Sequence, residues 1–462
     1  MFKKQTYLDR RKRLQTDLDS GLILLLGNEE SPMNFADNTY PFRQDSNFLY
    51  FIGIDKPNLA AVIDVDEGKT TLFGDDLTVD HIVWMGPQPK MRELADLSGV
   101  DEVAPVNALG KALREAGAKG RTIHYLPPYR AGNCIKMSEW LDIPISQLQE
   151  KASVPLIRAV VAQASYKSAE EVREIEKAVN ITGAMHVAAM KSATEGQKEA
   201  VLAGIVEGIA ISAGGRLAYP VILTINGQTL HNHYYGNTLT NDRLVLGDFG
   251  AETERHYAGD ITRTFPLAPK FSSRQKDIYN LVLETEVAAI EALKPGVPYR
   301  DVHLLAATKI TDGLKTLGLM KGNTEDAVAQ GAHALFFPHG LGHMLGLDVH
   351  DMEDLGEDYV GYDDQIKRSD QFGLRSLRLG RALEPGFVLT VEPGIYFIPE
   401  LIQQWQSEGT ATDFINYEAL QSYLDFGGIR IEDNVLITED GYRVLGKPIP
   451  KTVEEVEALR QG

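Results

Sequence analysis

The chain has 462 residues, 43% of them hydrophobic and 24% charged, with a net charge of −19 at pH 7. That length calls for two or three domains, and that composition belongs to a well-cored globular protein rather than a disordered one. The acidic balance argues against nonspecific binding to nucleic acid or anionic membrane, and a single cysteine, Cys134, excludes an intramolecular disulfide and any cysteine-based zinc cluster.

The start, MFKKQTYLDRRKRLQ, is basic but lacks the apolar run of a signal peptide, so a cytoplasmic protein is expected. Tyr7 to Leu18 reads as a helix with Arg10 to Arg13 on its solvated side. Leu22 to Leu26 is a buried strand, and Phe48-Leu49-Tyr50-Phe51 reads as an aromatic strand. Ala60 to Val65 and Thr70 to Phe73 flank an Asp-Glu-Gly turn, a hairpin pattern. Helical patterning returns near Pro89 to Leu97 and Val106 to Ala116. Asp75, Asp76, Asp80 and His81 read as a solvated acidic loop rather than a metal site. This alternation predicts an α/β domain over residues 1–160.

Pro155 to Ser165 shows no strong periodicity, which places the boundary there and a second domain over 161–462. Ser168-Ala169-Glu170-Glu171 is a capping box, with Val172, Ile175 and Val179 at helical spacing. Thr194 with Gln197 predicts a second helix, ending at Gly214-Gly215, and Ser272 with Gln275 a third. A fourth runs from about Tyr299 to Leu317. Strands are expected at Pro220 to Asn226, Leu244 to Asp248, Asp260 to Phe265, Val388 to Glu392 and Gly428 to Leu436. Helices alternating with antiparallel hairpins make this domain α+β.

Chemistry concentrates in four places. Leu244, Leu246 and Asp248 share one strand face, and a hairpin would set Asp248 beside Asp260. Two desolvated carboxylates repel, so a cation is wanted between them unless both are exposed turn residues. Pro338, Gly340 and Gly342 break the backbone around His339 and His343, and His350 follows beside Asp351, a carboxylate that could orient its imidazole. Glu392 ends an apolar strand. Arg430 and Glu432 share a face by period two, where they could also satisfy each other. As a set, Asp248, Asp260, His343, Glu392 and Glu432 suit two divalent cations with hard ligands, Mn²⁺ first, with Co²⁺, Fe²⁺ and Zn²⁺ also fitting. Such a pair activates water and polarises a carbonyl, which points to hydrolysis.

At these residues the chain resembles the pita-bread metallopeptidases, in the proline-specific branch that holds aminopeptidase P and prolidase. FRQDSNFLYFIG resembles the branch's creatinase-like amino-terminal domain; GDFGAETERHYAGDITRTFP, HGLGHMLGLDVHD, LTVEPGIYF and GGIRIEDNVLIT resemble its successive catalytic signatures. The resemblance implies Asp248 as terminal ligand of one metal, Asp260 and Glu432 as bridging ligands, and His343 and Glu392 on the other metal. Glu392 would also relay the proton. His233, His339 and His350 would position substrate and stabilise the oxyanion, and Arg430 would hold a ligand carboxylate from behind. The implied substrates are small peptides with proline at the second position. Arg375-Ser376-Leu377-Arg378 resembles the prolidase pattern, which implies that Arg378 binds a dipeptide carboxylate and tilts the expectation slightly towards dipeptides. Relatives are commonly dimers or tetramers. The Asp248–Asp260 interval is one residue longer than the family's, and the extra residue is assigned to the turn between Thr253 and His256. A metal-free peptide- or protein-binding module and a creatinase-type amidinohydrolase are the alternatives; retention of all five ligand types counts against both.

Overall fold

A computed structural model describes residues 1–461. The chain divides into two compact units: Met1–Ala164 together with Asp354–Tyr359, and Ser165–Glu353 together with the chain from Val360 onward.

The first unit runs α1 (Lys4–Thr16), β1 (Leu22–Leu26), α2 (Ser46–Phe51), β2 (Ala60–Asp64), β3 (Lys69–Phe73), α3 (Val79–Met85), α4 (Met91–Ser98), β4 (Glu102–Ala104), α5 (Leu109–Ala118), β5 (Ile123–Tyr125), α6 (Ala131–Leu141) and α7 (Val154–Ala164). Its strands form one sheet in the order β4-β3-β2-β1-β5. Three sequence expectations fail here for physical reasons. The aromatic run is helix, because the Asp45 carboxylate accepts from Phe48 N at 2.8 Å and caps it, and Phe48 to Phe51 are then all buried. Arg10 and Arg11 are buried rather than solvated. Arg10 donates to Tyr50 O, while Arg11 donates to Phe51 O, Ser98 O and Gly99 O, so they serve the orphan carbonyls at the C-termini of α2 and α4. The segment before the boundary is also helix, α7. It buries Leu156, Ile157, Ala159, Val160, Val161 and Ala164, so its apolar residues leave no single stripe to read.

The second unit places α8 (Ala169–Ser192), α9 (Glu199–Ser212), α10 (Ser273–Glu291) and α11 (Tyr299–Thr316) around short antiparallel sheets. The capping boxes at Ser168/Glu171 and Ser272/Gln275 both form, whereas α9 begins past Thr194, at Glu199. Its strands are β6 (Arg216–Leu217), β7 (Ile222–Thr224), β8 (Leu244–Phe249), β9 (Ala251–Glu252), β10 (Ile261–Pro266), β11 (Val388–Val391), β12 (Gly394–Tyr396), β13 (Gly428–Arg430), β14 (Asp433–Ile437) and β15 (Tyr442–Val444). They pair as β10-β8-β7, β11-β14-β15, β12-β13 and β6-β9. Ile222, Leu246 and Tyr396 pack together and fasten β7, β8 and β12 into one core.

Candidate active site

Asp248 and Asp260 meet because β8 and β10 pair with Thr262 opposite Asp248 and Ile261 opposite Phe249. The chain turns at Thr253 to His256, where Thr253 N donates to Tyr257 O at 3.0 Å and His256 adopts a left-handed φ of 64°. Gly250 and Gly259 cross so closely that a Cβ on Gly250 would lie 1.7 Å from Gly259 O. The Tyr219 hydroxyl spans both carboxylates, 2.6 Å from Asp248 Oδ1 and within hydrogen-bond reach of Asp260 Oδ1. The Asn434 side chain holds the backbone of Asp260 through both its N–H and its carbonyl.

His343 and Glu392 come from the glycine-broken loop and the end of β11. His343 Nδ1 donates to Met344 O at 2.9 Å. A carbonyl only accepts, so Nδ1 carries a proton, and Nε2 offers a lone pair to a cation when the ring is neutral. That Nε2 lies 3.4 Å from Asp260 Oδ2 and 3.5 Å from Glu392 Oε1.

Glu432 sits in the gap between β13 and β14, so the single strand expected from Gly428 to Leu436 is two. Its N–H donates to Thr262 O, and its carbonyl accepts from Arg263 Nη1 at 2.7 Å. Its Oε2 accepts from Thr262 Oγ1 at 2.7 Å, whereas Oε1 is buried without a hydrogen-bond partner among the described residues. Arg430 does not pair with Glu432 directly. Its Nη2 binds Asp248 Oδ2, its Nε binds Thr262 Oγ1 and its Nη1 binds the Tyr396 hydroxyl.

The electrostatics are those of crowded acids out of water. Burial raises the pKa of Asp248, with Arg430 offsetting it only in part. Burial and the like charges of Asp260, Glu392 and Asp248 push Glu432 well above the carboxylate range. Burial also brings Glu392 up to about 7. Burial works the same way on Asp260, but the hydrogen bond and charge of His343, the Tyr219 hydroxyl and the charge of His350 together outweigh it and its pKa falls. One donor atom each from Asp260, His343 and Glu432 lies within 4.8 Å of the others. Hard carboxylate oxygens, one imidazole lone pair and an orphaned buried Oε1 make a donor set that fits divalent cations.

The remaining histidines divide. His350 packs on His343, ring centroids 4.4 Å apart, and is oriented by Glu353, whose Oε2 lies 2.6 Å from Nδ1. Asp351, the carboxylate expected in that role, is bound instead to the buried Lys167 at 2.7 Å. His339 spends Nδ1 on Gly340 O and Nε2 on the Tyr396 hydroxyl, both at 2.8 Å, and burial holds its pKa at about 3. It continues the chain Asp248–Arg430–Tyr396–His339. His233 and His231 are both exposed. Desolvation lowers the His231 pKa, with the charges of Asp248, Arg430, His233 and Arg378 acting on it in turn, and its charge acts on His339. Arg378 forms an ion pair with Glu353. Sequence reasoning missed Tyr219, Thr262, Asn434 and Glu353, which look ordinary in their local context. Their partners lie 29 to 174 residues away for the first three, and for Glu353 one carboxylate lay closer in sequence to His350.

Comparison with known proteins bears on the family and the fold. Residues 173–439 match metallopeptidase family M24, and residues 7–124 match the aminopeptidase P N-terminal domain. A human Xaa-Pro dipeptidase is 34% identical over 467 residues, covering 99% of this chain and 92% of that protein. An Aspergillus clavatus protein named "Probable Xaa-Pro aminopeptidase" is 34% identical, covering 97% of this chain and 95% of its own. Among solved structures, E. coli aminopeptidase P with the inhibitor Pro-Leu superposes with a TM-score of 0.81 at 30% identity, over 100% of this chain and 98% of that one. A zinc-substituted form of the same enzyme, in complex with product, gives a TM-score of 0.82 at 29% identity over the same shares.

Proposed function

The chain belongs to metallopeptidase family M24 and has its pita-bread fold, and we propose that it hydrolyses the bond between an N-terminal residue and a following proline using two divalent cations, Mn²⁺ by preference. The observation that carries this reading is the convergence of Asp260, His343 and Glu432 on one point, with Glu392 Oε1 3.5 Å from His343 Nε2 and Asp248 joined to Asp260 through the Tyr219 hydroxyl. Human and fungal relatives named for Xaa-Pro bonds support the substrate class.

Two ions would balance four carboxylates: Asp248 and Asp260 with Glu432 on one, and Asp260, Glu432, His343 and Glu392 on the other. When bound, they supply a polarised carbonyl and a water of lowered pKa. The protein's own groups do the rest. Glu392 takes a proton from the attacking water and returns it to the departing proline nitrogen, which has no hydrogen of its own. His350, backed by the Glu353 carboxylate, donates from Nε2 to the oxyanion when protonated. Arg430 and Tyr219 hold Asp248, and the acidic side of the site receives the substrate's free amino terminus. Arg378 binds the carboxylate of a dipeptide. His231 shares the rim role first assigned to His233.

An oligomer of this chain is supported by α3, which buries none of its side chains and leaves Trp84 87% exposed. Among the described residues no helix is long and apolar enough to cross a membrane. The test combines elemental analysis with hydrolysis of an Xaa-Pro dipeptide and an Xaa-Pro-Xaa tripeptide. Protein that binds no metal and cleaves neither peptide in added Mn²⁺ would leave a binding module as the better reading. Arg378→Ala should lower kcat/KM for the dipeptide more than for the tripeptide; equal losses would remove Arg378 from the carboxylate role.

A further inference from the structure

We propose that Glu353 is a specificity-determining residue: it occupies Arg378 in competition with a substrate carboxylate and so biases the enzyme away from dipeptides and towards longer peptides. This rests on the reading of Arg378 just given. Three side chains make a chain of contacts from the candidate metal ligand His343. The His350 ring packs on His343 at 4.4 Å, the His350 Nδ1 proton goes to Glu353 Oε2 at 2.6 Å, and the other Glu353 oxygen, Oε1, binds Arg378 Nη1. One carboxylate thus joins the group next to the reacting carbonyl to the group that would receive the far end of the substrate.

The charge arithmetic follows. Arg378 alone offers a full positive charge and a fork that fits a carboxylate. Glu353 beside it cancels part of that charge, and an incoming carboxylate must displace or share with one already in place. A dipeptide ends in that charge at its proline. A tripeptide has a neutral peptide bond at the same point and carries its charge a residue further out. Glu353 therefore opposes the first substrate and is nearly indifferent to the second. All three side chains remain partly open to water, Arg378 at 31%, His350 at 33% and Glu353 at 42% side-chain exposure, so screening reduces the effect but leaves the pair accessible to substrate. The sequence gives the competitor a fixed address: Glu353 lies three residues past His350, so the short turn that positions the imidazole also aims the acid at Arg378.

The experiment uses the full-length, Mn²⁺-loaded enzyme and the variant Glu353→Gln, which keeps size and hydrogen bonding but removes the charge. Substrates are an Xaa-Pro dipeptide, its C-terminal amide Xaa-Pro-NH₂, and an Xaa-Pro-Xaa tripeptide. Loss of the negative charge beside His350 lowers kcat for all three alike, so the readout is the ratio of kcat/KM values. The expected result is a rise of about 5- to 10-fold in the dipeptide-to-tripeptide ratio, with the amide-to-tripeptide ratio unchanged, because the amide carries no terminal charge. A dipeptide-to-tripeptide ratio within twofold of the parent's, or a rise shared by the amide, overturns the proposal. Should Glu353→Gln fail to fold, Glu353→Ser is read by the same two ratios. Failure of the parent enzyme to cleave any of the three would instead defeat the peptidase reading itself.

Discussion

Glu432 carries one carboxylate oxygen in a hydrogen bond to Thr262 and a second, Oε1, buried with no such partner among the described residues. A buried carboxyl oxygen left bare is costly, and in the proposed reading a cation is its partner. Glu432→Ala should therefore remain folded by circular dichroism while losing at least about 100-fold in turnover, more than an outer partner of a metal ligand usually costs. A near-normal rate in metal-replete buffer would argue against a ligand role. A second pair of residues bears on stability rather than catalysis. His303 and His333 are 0% and 1% exposed, and none of their ring nitrogens has a partner among the described residues. Burial holds their pKa values at about 3 and about 4, against an ordinary 6.5. Both rings thus stay neutral in the native state, whereas the unfolded chain takes up protons below about pH 6.5. Stability is complete above that value and falls as pH drops from 6.5 towards 4, by up to about 1.4 kcal/mol per pH unit for each histidine. Urea midpoints between pH 7 and pH 5 should show this slope, and His303→Phe should remove about half of the pair's share. Asp248, Asp260, His343, Glu392, Arg430 and Glu432 were legible because a charged or imidazole side chain on an apolar strand or glycine-broken loop needs a reason. Tyr219 and Thr262 were not, since a tyrosine and a strand threonine need none.

At the scale of elements, what the sequence made plain was set by local chemistry. The boxes at Ser168 and Ser272 start helices because donor and acceptor lie three residues apart in the chain itself. α2 and α7 were hidden because they bury residues on most of their surface, so the period of 3.6 that marks a helix against water is missing. The β8–β10 hairpin was legible as two alternating runs, but the crossing of Gly250 over Gly259 was not, since it depends on backbone approach. That crossing sets how closely the two aspartates come. A methyl at Gly250 would meet a carbonyl oxygen at 1.7 Å, so strand β8 or β10 must shift. Gly250→Ala should lower stability by roughly 1–3 kcal/mol, in the range of an overpacked core, and weaken Mn²⁺ binding as Asp248 and Asp260 part. Gly204→Ala on α9 is the control. A Cβ there meets nothing within 4 Å, and the change should be neutral or stabilising in urea melts. Unaltered metal affinity in Gly250→Ala would show that the crossing does not set the site.

Across the whole molecule, the two units differ in what a cation can do for them. Every candidate ligand lies in the second unit, on β8, the residue before β10, the His343 loop, the residue after β11 and the residue before β14. These pieces span nearly two hundred residues and divide between two small sheets, β10-β8-β7 and β11-β14-β15, and a loop, so no single ladder of backbone hydrogen bonds joins them all. Their mutual repulsion is offset in part by Arg430 and His343. Cations that bind the assembled site and not the unfolded chain stabilise it by about 2.7 kcal/mol at a free concentration one hundred times Kd. The first unit holds none of these ligands and gains nothing directly. Hydrogen exchange of chelator-stripped protein, with and without Mn²⁺, should therefore show slower exchange in peptides covering Leu244–Phe249, Ile261–Pro266, Val388–Val391 and Asp433–Ile437. Peptides covering β1 to β5 of the first unit should exchange at the same rate in both conditions. Protection that rises evenly over both units, or only in the first, would mean that Mn²⁺ acts somewhere other than the five-residue cage, and the assignment of its ligands would have to be abandoned.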